Sequence, residues 1–471
     1  MPDAGDLHTG FLVAGLPDGV RRLEEKGLFQ EAVGAIKRFL AEGRSLPRVL
    51  QSRLEWELER IKRVEWDYCL NREEAFKLLR EQIPDLTLSE FNEWFEKGLV
   101  EHMEIEGEAR VFRNFLPNFL RERTEVRSRL RTREDTGITG MLCEHLDTVM
   151  QKGLASGTVR VEPVRNRVLM LLRVKPDAVP DGETVRAWIP FPQRNQLQPF
   201  VRLVSTMPEK HVLAPDDASQ RTVYFEGESV KGETLEFSVE YEYVVNAAYV
   251  EIDPDRVSQY VEDESYRRFT SEFPPHIVFT PYLRRLAEEL VSGEPNPYLK
   301  AWRIYRWITE NVSYALVPEY STIECISDYA ARNLRGDCGV QALLFITLCR
   351  ISGVPARWQS GWYLNPIRPS PHDWAQFYVE PYGWLYVDPS FGGHWKKVEK
   401  YHRFYFGNID HYRLVVNTGL SVNLTPPKEH FRSDTVDNQR GEVEWRGGNL
   451  YYDKWAYELK VLSHEKISET A

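Results

Sequence analysis

Cys338, His372 and Asp388 follow one another in one stretch of a 471-residue chain, each in a local context that suits nucleophilic chemistry. Asp337 is placed to cap a helix, and Gly336 lets the chain turn sharply before it. Cys338 then falls in the first turn of a helix running through Ala342, Leu343, Ile346 and Leu348 to Arg350, with Ser352, Gly353 and Pro355 as the stop. A thiol there faces the positive end of the helix dipole, which favours the thiolate. Free backbone N–H groups at the same end, that of Cys338 included, could receive a developing oxyanion. Gly339 and Ala342 leave room for a substrate. Cys349, beside Leu348 in the same helix, is expected to be packing.

His372 follows a loop, 364–371, that holds Pro366, Pro369 and Pro371. From Trp374 the alternation of Ala375, Phe377 and Val379 predicts a strand with one buried face. Pro381, Tyr382 and Gly383 reverse the chain, and Trp384 to Val387 forms the paired strand, with Asp388 just past its end. Neighbouring strands lie ~4.8 Å apart, so Asp388 can accept a hydrogen bond from one ring nitrogen of His372. The other nitrogen is then left for Cys338, giving a thiolate nucleophile with an oriented general base.

The segments Gly336-Asp337-Cys338, His372-Asp373-Trp374-Ala375 and Val387-Asp388-Pro389-Ser390 resemble the three signature segments of the transglutaminase-like superfamily, a papain-related fold. Gly353-Val354-Pro355-Ala356-Arg357 and Ser360-Gly361-Trp362-Tyr363 match the same pattern, so the resemblance covers about 280–395. It implies a Cys338–His372–Asp388 acyl-transfer triad that needs neither metal nor organic cofactor. The acceptor stays open. Water makes a peptidase or amidase, the activity commonly predicted for the bacterial branches this chain resembles, and a lysine amine makes a protein cross-linker. A non-catalytic peptide-binding scaffold is the third reading. Animal transglutaminases bring calcium sites and two C-terminal β-barrels; this chain has no EF-hand-like acidic loop and too little length after residue 400. Tyr314 and the indole of Trp307 are candidate oxyanion side chains. Gly339, Trp362 and Trp374 are candidate walls of the substrate cleft.

The remaining composition narrows the partners. A formal charge of −11 argues against nucleic acid. The arginines at 121, 123, 127, 129, 131 and 133 are interleaved with Glu122 and Glu125, as on a solvated helix face. Five widely spread cysteines (69, 143, 325, 338 and 349) form neither a disulfide framework nor a zinc pattern. No run of about 18 apolar residues predicts a membrane span. The first six residues lack the basic end and apolar core of a signal peptide, so the sequence as written reads as cytoplasmic, or exported if a signal has been removed.

A chain of this length with 42% hydrophobic residues needs several cores. The expected architecture is α+β and multidomain: a helical N-terminal region, a β-sandwich and a transglutaminase-like, papain-like α+β catalytic core. The spacing of Leu23, Leu28, Ala32, Ile36 and Leu40, then of Leu50, Leu54, Leu58 and Ile61, predicts a helical hairpin region over 1–70, broken by a loop over 42–47. Over 71–156, helices at 73–80 and 88–97 precede a hairpin of 100–105 and 109–115, a winged-helix-like order followed by linking helices. Glu90, Glu93 and Glu96 on its second helix would repel phosphate, which leaves a structural or protein-contact role, with a protein partner as a candidate for the N-terminal helices. Residues 157–255 read as an antiparallel β-sandwich, with strands at 167–174, 185–189 and 235–245. The catalytic core is expected over 256–400. A β-rich C-terminal extension, 401–471, is expected to pack on the body through its aromatic residues, with a hairpin at 443–451 and a last strand through Trp455, Tyr457, Leu459 and Val461.

Overall fold

The computed structural model describes residues 9–42, 46–131 and 138–467. Residues 43–45 of the expected 42–47 loop, Arg133 and the first six residues lie outside the described residues. The chain divides into two compact units, one of Thr9–Gly137 with Ala315–Glu324 and one of Ile138–Tyr314 with Cys325–Ala471.

The first unit is helical, with α1 (Asp18–Glu25), α2 (Phe29–Glu42), α3 (Arg48–Asp67), α4 (Arg72–Gln82), α5 (Leu88–Glu96), the hairpin β1 (His102–Ile105) and β2 (Glu108–Val111), and α6 (Phe115–Glu122). The helical spacing read from the sequence becomes one core of Val20, Ala32, Ile36, Leu54 and Ile61. Asn71 and Glu74 close a capping box on α4, and the Thr87 hydroxyl caps α5 by accepting from the N–H of Glu90. The second hairpin strand ends at Val111, short of the expected 115, because Phe115 opens a helix and is buried with Phe112 and Phe119. Arg129, one of the interleaved arginines, is held by Glu90 at 2.6 and 2.9 Å rather than left to bind an anion.

The second unit begins with α7 (Ile138–Ser156) and six strands: β3 (Arg160–Val174), β4 (Thr184–Pro190), β5 (Phe200–Met207), β6 (Val212–Leu213), β7 (Thr222–Glu228) and β8 (Leu235–Ala248). Helices α8 (Glu264–Thr270), α9 (Pro281–Val291) and α10 (Pro297–Asn311) lead to β9 (Ser313–Tyr314), α11 (Ile326–Asn333), β10 (Arg335–Gly336) and α12 (Cys338–Ile351). Then come β11 (Ala356–Tyr363), β12 (Ser370–Val379), β13 (Gly383–Val387), α13 (Pro389–His394), α14 (Glu399–Phe404), β14 (Phe406–Gly407) and β15 (Arg413–Asn417). The strands β16 (Glu442–Trp445), β17 (Gly448–Leu450) and β18 (Trp455–Lys466) close the order.

Two antiparallel sheets, β18-β3-β8-β5 and β17-β16-β4-β7-β6, share one core that includes Leu172, Ala187, Phe225 and Phe237, so the sandwich is a sandwich. Its strands are not all drawn from 157–255. The C-terminal residues supply β16, β17 and β18 to it and β14 and β15 to the core sheet, so 401–471 is woven through three sheets rather than laid on as an extension. The core sheet runs β14-β13-β12-β11-β15. Helix α12 packs on one face of it, Phe345 edge-on to Phe377 at 5.8 Å. Every residue of α12 from Cys338 to Arg350 is buried, which is why its pattern has no polar stripe.

Candidate active site

Each of the three residues sits at the end of an element. The Asp337 carboxylate accepts from the N–H of Val340 at 3.2 Å, which fixes the start of α12 and puts Cys338 in its first turn. The strand carrying His372 starts earlier than the sequence indicates, at Ser370, because β12 pairs with β11 as far as Tyr363, and His372 lies opposite Gly361. Asp388 follows β13 directly and caps α13, its Oδ1 accepting from the N–H of Phe391 at 3.0 Å and from Ser390 Oγ at 2.9 Å.

His372 and Asp388 meet: Nε2 lies 2.7 Å from Oδ2. The same oxygen accepts from Nη1 of Arg413 at 2.7 Å, and the other end of that guanidinium donates to Asp410 at 2.9 Å. Arg413 is fully buried and also lies over the Tyr363, Trp374 and Phe391 rings. It reaches this position because β15 runs beside β11 at Gly361, where a Cβ would collide with the carbonyl of Leu414. Burial opposes ionisation of Asp388, but His372 and Arg413 outweigh it and hold the carboxyl below the usual range. For His372 burial wins over Asp388 and pulls the imidazole below 6.5. The two shifts pull against each other, since a neutral ring would not lower Asp388. Arg413, which is charged at any relevant pH, suffices to keep Asp388 ionised beside a neutral ring.

The structure does not join Cys338 to His372 by a hydrogen bond. Sγ lies 3.4 Å from Oδ2 of Asp373 instead. The pleat explains this: His372, Trp374 and Gln376 share one face of β12, whereas Asp373, Ala375 and Phe377 share the face packed on α12. Asp373 is in turn held by Gln439, whose Nε2 donates to its Oδ1 at 2.7 Å and to the carbonyls of Gly361 and His372 at 2.9 and 3.1 Å. Burial, and then Asp437 and Asp337, raise the Asp373 carboxyl well above its ordinary range. Burial, and then Asp373 and Asp337, likewise push the Cys338 thiol well up. The thiolate expected from the helix start is therefore overridden: desolvation and carboxyl neighbours outweigh a helix end. Cys338 is 8% exposed, His372 6% and Asp388 1%, so all three are enclosed.

The other sequence candidates are dispersed. Tyr314 lies in β9, in register with Gly336, two residues before the thiol. Trp307 lies on α10, and its carbonyl accepts a bond from Asn311. Gly339 is buried in α12. Trp374 stands beside His372, ring centroids 6.1 Å apart, with Nε1 donating to Gln359. Trp362 packs in the sandwich core, and its indole donates to the carbonyl of Gln439. Sequence reasoning missed Arg413, Gln439 and the part played by Asp373. Only Asp373 carried a signal, its place directly after the histidine. Among the described residues no group of three or more His, Cys, Asp or Glu could hold a metal, and no helix is long and apolar enough to cross a membrane.

Residues 284–389 match the family model of the transglutaminase-like superfamily, so the chain carries a transglutaminase-like domain. A curated relative, the protein-glutamine gamma-glutamyltransferase of Pseudomonas aeruginosa PAO1, is 27% identical over 122 residues, 24% of this chain. The match spans 18% of that relative's length. Among solved structures, a candidate cysteine protease from Cytophaga hutchinsonii is similar at 17% identity and TM-score 0.43, covering 66% of this chain and 94% of that one. The periplasmic domain of TgpA from Pseudomonas aeruginosa is similar at 15% identity and TM-score 0.26, covering 51% of this chain and 90% of the other.

Proposed function

We propose that this transglutaminase-like domain is a cysteine-dependent acyl-transfer enzyme that hydrolyses a peptide or amide bond. The observation that carries the reading is the 2.7 Å contact of His372 Nε2 with Asp388, in a domain that also sets a cysteine in the first turn of a buried helix. That contact fixes the tautomer and leaves Nδ1 as the base.

In this reading a movement at the edge between β12 and α12 takes Sγ from Asp373 into reach of His372, and Nδ1 then takes its proton. The thiolate attacks the acyl carbon, and the N–H groups at the start of α12 receive the oxyanion. The C–N bond breaks as the imidazolium returns the proton to the leaving amine, and a Cys338 thioester remains. His372 then deprotonates a water, which attacks the thioester. The C–S bond breaks, the acid leaves and the thiol is restored. Asp388 balances the imidazolium charge in both halves. The substrate is a peptide or protein, and no resident metal or cofactor takes part.

The name of the curated relative favours a second reading, in which a primary amine replaces the water. Incubating a mixed peptide library with the wild-type protein and with Cys338→Ala separates the outcomes. New amino termini made only by the wild type support hydrolysis. A fluorescent primary amine incorporated only by the wild type supports transfer to an amine. Equal products from both proteins would sink the nucleophile assignment, and no product from either would favour the peptide-binding scaffold.

A further inference from the structure

We propose that the face of the core sheet turned away from α12 carries a separate binding site for an acidic peptide segment, with a carboxylate of the peptide on Arg357. A cavity of about 1360 Å³ opens there, between strands β11, β12 and β13 and the sandwich. Small-molecule sites run roughly 300–1,000 Å³, so this volume suits an extended segment better than a compact ligand.

The charge of the cavity is opposite to that of the chain. Arg160 and Arg357 line it and no Asp or Glu does, in a protein of net charge −11. Arg357 donates from Nε to Gln376 at 2.8 Å, and its guanidinium lies 4.0 Å over the Trp384 ring. Among the described residues neither arginine forms an ion pair with a carboxylate. Burial, and then the nearby Arg268, pull the Arg357 pKa down to about 10, as expected of a guanidinium short of a counter-charge.

The neutral groups point the same way. Asn195 Nδ2 is buried without an acceptor, while its Oδ1 already accepts from the N–H groups of Leu197 and Gln198. The Oε1 atoms of Gln359 and Gln376 are taken by Trp374 and Arg357, and among the described residues their amide nitrogens have no partner. These three amides therefore present donors whose own oxygens are already engaged. A peptide supplies what is missing: carbonyl oxygens for the amides and a carboxylate for the forked guanidinium. The row Arg357, Gln376, Tyr386 crosses three adjacent strands in register, and Gln376 lies on the same face of β12 as His372.

The test needs no turnover, so it uses the Cys338→Ala protein. Its outcome is independent of whether Cys338 is the nucleophile. A hexapeptide with two glutamates and its glutamine counterpart, both labelled with a neutral dye, are titrated by fluorescence anisotropy. The glutamate peptide is expected to bind at least ten-fold more tightly, and Arg357→Gln should remove that preference. Arg160→Glu, at an exposed position, should also abolish it and serves if the Arg357 variant does not fold. Equal binding of the two peptides, binding by neither, or a preference retained in a folded variant would overturn the proposal.

Discussion

Nε2 of His372 and Oδ2 of Asp388 are 2.7 Å apart, and Arg413 bonds the same carboxylate oxygen at 2.7 Å. Asp388 thus serves two cations, one permanent and one that forms only when the imidazole takes a proton. The guanidinium keeps the carboxylate ionised through the resting state, so the charge is in place before the proton moves. Asp388→Asn should keep much of this geometry while losing that charge and unsettling the tautomer. The expected fall in kcat/KM is on the order of 10²–10⁴, with little change in KM. Unchanged turnover in a folded variant would remove Asp388 from the mechanism.

The pH dependence follows from the two shifted groups. In the proposed mechanism His372 acts as base only when neutral, and burial pulls its imidazole below 6.5. Burial pushes the Cys338 thiol well above 9.0, so in the proposed mechanism it gives up its proton during attack rather than before it. kcat/KM should therefore rise through an acid limb below pH 6.5 and stay level to about pH 9. A limb centred near pH 8.5, the ordinary thiol value, would indicate instead that a free thiolate is the working species.

Asp373 should restrain the thiol. Its carboxyl lies on the α12 side of β12 and is among the groups that raise the Cys338 pKa. Asp373→Asn keeps a partner for Gln439 but cannot carry charge. Iodoacetamide should alkylate Cys338 about ten-fold faster at pH 8 in this variant, with the apparent thiol pKa lowered. Identical alkylation profiles would mean that burial alone sets the thiol.

Asp437 supplies a stability prediction. Burial, and then Asp434, raise its carboxyl from 3.8 to about 7, and it accepts from Ser360 within the same enclosed region. A carboxyl raised in the folded state favours folding fully below its unfolded pKa, and that contribution is lost as pH rises through the folded value. The window here runs from 3.8 to about 7. Asp437→Asn should raise Tm by a few degrees at pH 8, about 1–2 kcal/mol, and change it little at pH 4. A gain of equal size at both pH values would contradict the assignment.

What the sequence made legible was local. The cap at Asp337, the stop at Gly353 and the β12–β13 hairpin each rest on neighbours in the chain, and each lies close to where the residues place it. So does the meeting of His372 with Asp388, because a hairpin brings its two ends together. Arg413 and Gln439 reach the site through β15 and the segment before β16, pairings that no local pattern announces. The thiol state was misjudged for a related reason: the helix end is visible in sequence, but the burial and the carboxyls around Sγ are set by tertiary packing. The sandwich was legible as alternating strands, yet its closure by 442–466 required knowing which edges were free.

The central claim is that Cys338, activated through His372, carries the acyl group. A p-nitrophenyl acyl ester, followed by peptide mass mapping of the quenched protein, tests this directly against the background of five free cysteines. An acyl adduct on Cys338 in the wild type, lost in His372→Ala while any labelling of the exposed Cys69 is unchanged, is the expected result. An adduct confined to other cysteines, or acylation of Cys338 at the same rate without His372, would contradict the account.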